Sequence, residues 1–141
     1  MVRFALLLIG VFAFASHARA EDEMELHLVL AFDVSASVND VEYVLQRQGT
    51  VEALRSFTVR AAIESAPGGI AMSIVQWSSI GQQALGLDWI HLQNHEDIDH
   101  YAQSIADMPR KLPGGGTMIH AGLNFAAEMF DTAPGIARRQ V

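Results

Sequence analysis

The stretch that most restricts how this chain can fold is Leu26 to Phe32, apolar throughout except for His27, which stops abruptly at Asp33-Val34-Ser35-Ala36-Ser37. A short continuous apolar run suits a strand covered on both faces, as in a parallel sheet, better than the alternating pattern of a half-solvated strand. The small polar loop after it therefore sits at the carboxyl end of a buried strand. Open α/β sheets bind their ligands at that end.

The rest of the chain supplies the partners such a strand needs. Asn39, with Glu42 three residues on, forms a capping box, and the sequence predicts a helix from Asp40 to Arg55. Its apolar stripe (Val41, Val44, Leu45, Val51, Leu54) is broken by Gln48 and Gly49. Ser56 caps a short second helix that ends near Ala66, before the turn Pro67-Gly68-Gly69. Ile70 to Trp77 and Gln82 to Trp89 read as two strands joined as a hairpin through Ser78-Ser79-Ile80-Gly81. Asn94 opens a further helix, with Ile98, Ala102 and Ile105 on one face beside Tyr101 and Met108. After Pro109 and Pro113 the chain enters Gly114-Gly115-Gly116-Thr117, and a last helix begins. Ile119, Leu123, Ala126 and Phe130 make its apolar arc the cleanest in the chain. Ala133-Pro134-Gly135 ends that helix, and Arg138 to Val141 opens a fourth strand. This alternation predicts an α/β fold, a mostly parallel sheet with helices on both faces.

The first 20 residues read differently. Arg3 gives a positive start, Phe4 to Ala15 is apolar, and Ala18 and Ala20 place small residues where a signal peptidase requires them. The apolar run falls short of the roughly 20 residues a spanning helix needs. The expectation is an export signal over residues 1–20, with one domain over residues 21–141 that is periplasmic or secreted. An uncleaved membrane anchor is the competing reading, and no stable membrane span is expected after cleavage. Setting Arg3 and Arg19 aside with the signal leaves 7 basic residues against 16 acidic, a net charge of −9. That balance argues against nucleic acid as a partner, because phosphate-backbone binding is driven by Lys and Arg. The absence of cysteine excludes disulfides, thiolate metal sites and a cysteine nucleophile.

Asp33, Ser35 and Ser37 carry the chemistry. Three oxygen-bearing side chains spaced by two residues converge on one hard cation if the loop curls. Mg²⁺ takes oxygen ligands in a near-octahedral shell at about 2.0–2.1 Å and keeps several waters. Serine hydroxyls are neutral, so the cation stays electrophilic and can accept a carboxylate from a partner. Three glycines ahead of Thr117 let that backbone approach closely and adopt unusual dihedrals, and helices flanking the first strand would hold its hydroxyl near the loop.

Asp33-x-Ser35-x-Ser37 after an apolar strand, with Gly-Gly-Thr117 opening a later helix, resembles the metal-ion-dependent adhesion site of von Willebrand factor A domains. Phe32 to Val38, Tyr43 to Arg47, Val75 to Ser78 and Ala137 to Val141 further resemble a bacterial family of uncharacterised exported proteins with an A-like domain. The resemblance implies a Rossmann-like A fold and a site whose metal ligands are Asp33, directly or through water, Ser35 and Ser37 directly, and Thr117 as the ligand that engages or withdraws. It implies Mg²⁺, with Mn²⁺ or Ca²⁺ as substitutes, and a protein partner offering an acidic residue. The family pattern continues past the fourth strand to another metal-site aspartate. The expectation is thus an incomplete A-like domain, truncated at its C-terminus.

Other signals are weaker. His91, His95 and His100 suggest zinc, but their spacing does not put all three on one helix face. The glycine run lacks the lysine of a phosphate-binding P-loop. Asp33-Val34-Ser35 lacks the second acid of aspartate-nucleophile phosphotransferases, and no Gly-x-Ser-x-Gly elbow is present. The expected function is a non-enzymatic, metal-dependent binding module. The alternatives are a metal-dependent hydrolase and an inactive fragment of a larger A-like domain.

Overall fold

The computed structural model describes residues 23–141; the expected export signal lies outside the described residues. The elements run β1 (Glu23–Asp33), α1 (Asp40–Arg55), α2 (Phe57–Glu64), β2 (Ile70–Trp77), β3 (Gln83–Leu92), α3 (His95–Asp107), α4 (Ile119–Glu128) and β4 (Ile136–Gln140), with a 3₁₀ turn at Met129–Thr132. The four strands form one sheet in the order β3-β2-β1-β4. β1 pairs in parallel with β2 and with β4, and the β2–β3 hairpin is antiparallel. The expected α/β fold with a mostly parallel sheet is the observed one.

Alternation along the strands divides the molecule into two layers. Leu28, Leu30 and Phe32 of β1, with Ile70, Met72 and Ile74 of β2, face the core under α1, α2 and α3. The other face carries α4: Gly122 lies on the Trp77 ring, and Trp89 of β3 stands 6.0 Å from Phe130. His27, the one polar residue inside the apolar run, points to this second face and is buried. Its Nε2 is 2.9 Å from the Pro134 carbonyl and its ring 5.5 Å from that of Trp89. A histidine is tolerated there because the turn before β4 gives its N–H an acceptor.

Local sequence decides where the helices start. Asn39 Oδ1 accepts from the Glu42 amide at 3.0 Å while Glu42 Oε2 accepts from the Asn39 amide at 2.8 Å, so the capping box is closed. Ser56 and Asn94 cap α2 and α3 as expected. Gly68 and Gly69 turn the chain into β2 with φ of 71° and 75°, and a Cβ on Gly68 would stand 2.0 Å from the Glu23 carbonyl oxygen.

Three expectations are corrected. β3 extends to Leu92 rather than ending at Trp89, because the hairpin continues pairing down to Ile70. In α1 the buried face is Tyr43, Val51 and Leu54, while Val41 and Leu45 are exposed. Tyr43 owes its place to a polar tip that finds partners in the interior, which an apolar count overlooks. In α4 the apolar arc is packed only towards its end: Ala126 and Phe130 are half-buried, Ile119 and Leu123 are 60% and 61% exposed, and the buried residue is Gly122. Trp77 occupies the space a side chain would need, so the helix seats itself on its glycine.

Candidate metal centre

The loop after β1 is fixed from three sides. Asp33 is in register with Trp77, and the Val34 amide donates to the Trp77 carbonyl at 2.9 Å, so the loops after β1 and β2 leave the sheet side by side. Gln46 of α1 donates from Nε2 to the Asp33 carbonyl at 3.0 Å. Asp33 Oδ1 accepts from the Ser35 amide at 2.8 Å, which curls the chain back over the strand end. The curl brings Ser35 Oγ and Ser37 Oγ to 3.1 Å. Ser35 is buried and Ser37 is exposed, so the pair runs from the interior of the loop to its surface.

That separation bears on the metal. Two oxygens in adjacent positions of an octahedral Mg²⁺ shell stand about 3 Å apart, so the two hydroxyls are spaced as neighbouring ligands of a small divalent cation would be. Among the described residues no three His, Cys, Asp or Glu side chains gather into a metal-binding group. The donors at this loop are therefore one carboxylate and neutral hydroxyls, a set that suits a hard cation retaining water. The residues present fit the group.

Thr117 arrives by another route. Gly115 accepts from the Ala36 amide at 2.8 Å, so the glycine stretch is stitched directly to the Asp33 loop. A Cβ on Gly114 would lie 3.0 Å from Ala36 Cα, which is why a residue with no side chain runs past that point. Thr117 is two residues beyond Gly115 and exposed. Among the described residues it makes no side-chain hydrogen bond to Asp33, Ser35 or Ser37. It also does not open the helix: α4 begins at Ile119, with Met118 as a cap lacking a side-chain hydrogen bond. Asp33, Ser35 and Ser37 are thus brought into one loop, and Thr117 is brought to the same end of the sheet.

Sequence reasoning missed several residues that build this centre. Ser79 Oγ accepts from the Gly116 amide at 2.6 Å, and the Ser78 carbonyl from the Met118 amide at 2.9 Å. The rule that singled out Asp33 would have found them, since Ser78 and Ser79 also follow a buried parallel strand at its carboxyl end. Arg110 and Gln76 also belong here, and nothing in their local sequence signals it. Burial pushes the Tyr43 phenol above its usual range, partly offset by the nearby Arg47, Gln76 and Arg110.

Of the three histidines weighed for zinc, His95 and His100 share a cleft on α3 and His91 lies apart from them. His91 Nε2 is 2.6 Å from the Gly68 carbonyl, whereas His95 pairs with Asp99 at 3.1 Å, where Arg60 also reaches the carboxylate.

A mostly parallel sheet with helices on both faces and an Asp-x-Ser-x-Ser loop after its first strand is a von Willebrand factor A-like fold. The chain belongs to the family described as "Protein of unknown function (DUF1194)", whose profile matches residues 23–141. No curated protein matches it. Among solved structures it is similar to the pilus adhesin SpaC from Lactobacillus rhamnosus GG, in its open conformation, with TM-score 0.52 and 18% identity, covering 77% of this chain and 13% of that one. It is similar to the von Willebrand factor domain of the type V pili tip protein Mfa5 from Porphyromonas gingivalis, with TM-score 0.50 and 15% identity over 83% of this chain and 36% of that one. It is also similar to proximal thread matrix protein 1 from the mussel byssus, solved with a zinc-occupied metal-ion-dependent adhesion site. There the TM-score is 0.52 and the identity 17%, over 77% of this chain and 25% of the other. The chain thus spans about a third or less of the length of these proteins, and at such identities the likeness establishes the fold.

Proposed function

We propose that this chain is an exported, non-enzymatic module that binds a protein partner through a divalent cation. Asp33, Ser35 and Ser37 hold the cation, and Thr117 engages it from the neighbouring loop. Mg²⁺ fits the hydroxyl-rich donor set, and Mn²⁺ or Ca²⁺ would substitute. The observation that carries this reading is the 3.1 Å approach of Ser35 Oγ to Ser37 Oγ in the loop that the Asp33 carboxylate curls. The zinc-occupied site of the mussel protein, on the same fold, supports it. When bound, the cation supplies a Lewis-acidic position that a partner carboxylate can complete.

The donor set favours binding over hydrolysis. One carboxylate and neutral hydroxyls leave most of the ion's charge available to an incoming acid. Asp33, the carboxylate of the loop, has one oxygen on the Ser35 amide and in this reading gives the other to the cation, which leaves it poorly placed as a general base. Residues 1–20 serve as the export signal in this reading, and residues 21–141 supply the A-like domain. Among the described residues no helix is long and apolar enough to cross a membrane.

Calorimetric titration of the purified chain with Mg²⁺ and Mn²⁺, beside Asp33→Ala shown to be folded by circular dichroism, tests the metal. Binding should disappear in the variant. A folded wild type that binds neither ion, or a variant that binds equally well, would sink the reading. Capture of an acidic partner should be abolished by EDTA and weakened by Ser35→Ala.

A further inference from the structure

Between α3 and the glycine stretch the chain passes through Met108–Lys111, and a buried amide grips that segment from the sheet. Gln76 of β2 donates from Nε2 to the Pro109 carbonyl at 2.8 Å, while its Oε1 accepts from the Lys111 amide at 2.8 Å. The same Nε2 lies 3.0 Å from the Tyr43 hydroxyl, which donates in turn to the Met108 carbonyl at 3.2 Å. Arg47 donates to that carbonyl as well, at 3.1 Å. Gln76 and Tyr43 are both buried. The backbone on either side of Arg110 is therefore held as a strand would be, but by side chains.

So held, Arg110 reaches the Asp33 loop from behind. Its Nη2 donates to the Val34 carbonyl at 2.8 Å and the Ser35 carbonyl at 3.1 Å, and its Nη1 is 3.3 Å from Asp40 Oδ1. The guanidinium lies 5.9 Å from the Tyr43 ring centroid, and the side chain is 19% exposed. Val34 and Ser35 are the first residues past the β1 strand, both buried; the Ser35 carbonyl also accepts from the Val38 amide at 3.0 Å, whereas the Val34 carbonyl has Arg110 as its donor. One nitrogen, Nη2, meets both carbonyls while Nη1 turns to Asp40, a division of donors that the planar guanidinium allows. With both carbonyls tied to Arg110, the peptide groups of the loop cannot rotate freely. The Ser35 amide is thereby kept on Asp33 and the Ala36 amide on Gly115.

We infer that Arg110 is a positioning residue for the metal loop, holding Ser35 and Ser37 in their ligating arrangement through the Val34 and Ser35 carbonyls, and that Gln76 positions Arg110. This rests on the metal reading above. A competing effect has the opposite sign: a guanidinium near a cation site repels the cation, so if charge dominated, removing Arg110 would tighten metal binding.

The experiment uses Arg110→Met, which keeps apolar length against Tyr43 but loses the donors, and Arg110→Lys, which keeps the charge but not the fork. The probes are Mn²⁺ alone, titrated by calorimetry, and metal-free hydrogen exchange at the Ala36 amide. Arg110→Met should weaken Mn²⁺ binding about tenfold, the scale expected when an outer-shell support is removed. It should also speed Ala36 exchange, with circular dichroism unchanged. Arg110→Lys should recover only part of either effect. Tighter Mn²⁺ binding in Arg110→Met, unchanged Ala36 exchange, or full recovery by lysine would each overturn the inference. Wild type that binds no Mn²⁺ would overturn the metal reading and the ligating role with it, whereas exchange at Ala36 would still report whether Arg110 holds the loop.

Discussion

Replacing Gly122 by alanine should destabilise the protein, while the same replacement at Gly49 should stabilise it. Both glycines lie inside helices and neither has a positive φ. Helix propensity alone therefore favours alanine at each by about 1 kcal/mol. What differs is the space. A Cβ on Gly49 meets nothing within 4 Å, whereas one on Gly122 would stand 2.6 Å from both Cγ and Cδ2 of Trp77. Ordinary carbon–carbon contact begins roughly 1 Å farther out, at about 3.5 Å. Trp77 is buried on a central strand, so α4 must lift or the ring must leave its rotamer. Overpacking of this kind costs about 1–3 kcal/mol. Set against the propensity gain, Gly122→Ala should lose about 1 kcal/mol net, and the two variants should differ by about 2 kcal/mol. Urea denaturation followed by tryptophan fluorescence and far-ultraviolet dichroism measures the difference at constant slope. A Gly122→Ala protein as stable as Gly49→Ala would refute the packing argument and with it the seating of α4 on Trp77. Because α4 follows the Thr117 stretch, Gly122→Ala should also weaken Mn²⁺ binding, which Gly49→Ala should leave unchanged.

Asn39→Ala opens the capping box of α1 and should cost about 1 kcal/mol in the same denaturation assay, with Asn39→Asp close to wild type; equal stability of the alanine variant would show that the cap contributes nothing. Gln76→Leu keeps the volume but removes both grips on the Met108–Lys111 segment and leaves the Pro109 carbonyl and Lys111 amide unpaired. It should lose about 2–3 kcal/mol, and a loss below about 0.5 kcal/mol would mean that the segment finds other partners. Glu25 is held below its ordinary value near 4.5 chiefly by a hydrogen bond from Arg138, helped by the charges of Arg138 and Arg139 and opposed by desolvation. Its folded value being the lower, its contribution is complete above the unfolded value and fades as pH falls through the folded one. Wild-type stability should therefore drop on acidification below about pH 4.5, and Glu25→Gln should be less stable at neutral pH with a shallower acid decline. An unaltered pH dependence would show that the Glu25–Arg138 pair does not help hold β4 to β1.

The sequence by itself determined the elements and the order in which they follow. Local rules act over a few residues and this chain obeys them: a continuous apolar run for β1, a capping box at Asn39, Ser56 and Asn94 at helix starts, glycines at the turn before β2. The Asp33-Ser35-Ser37 cluster was legible for the same reason, since its curl depends on one bond between the Asp33 carboxylate and an amide two residues on. Tertiary structure alone decided which faces are buried. The apolar arc of α4 pointed to Ile119 and Leu123, yet the helix packs through Gly122, because what matters is the space Trp77 leaves and not how apolar a face is. Tyr43 displaced Val41 and Leu45 from the core side of α1 because its hydroxyl meets Gln76 and the Met108 carbonyl, partners distant in sequence. The same holds for the supports of the candidate metal centre. Arg110 lies 75 residues beyond Ser35, and its guanidinium finds the Val34 and Ser35 carbonyls only once β2, α1 and α3 have packed and Gln76 has fixed its backbone. A ligand motif is short because its donors are neighbours in the chain, whereas the shell that holds those donors still is drawn from wherever the fold brings a hydrogen bond within reach.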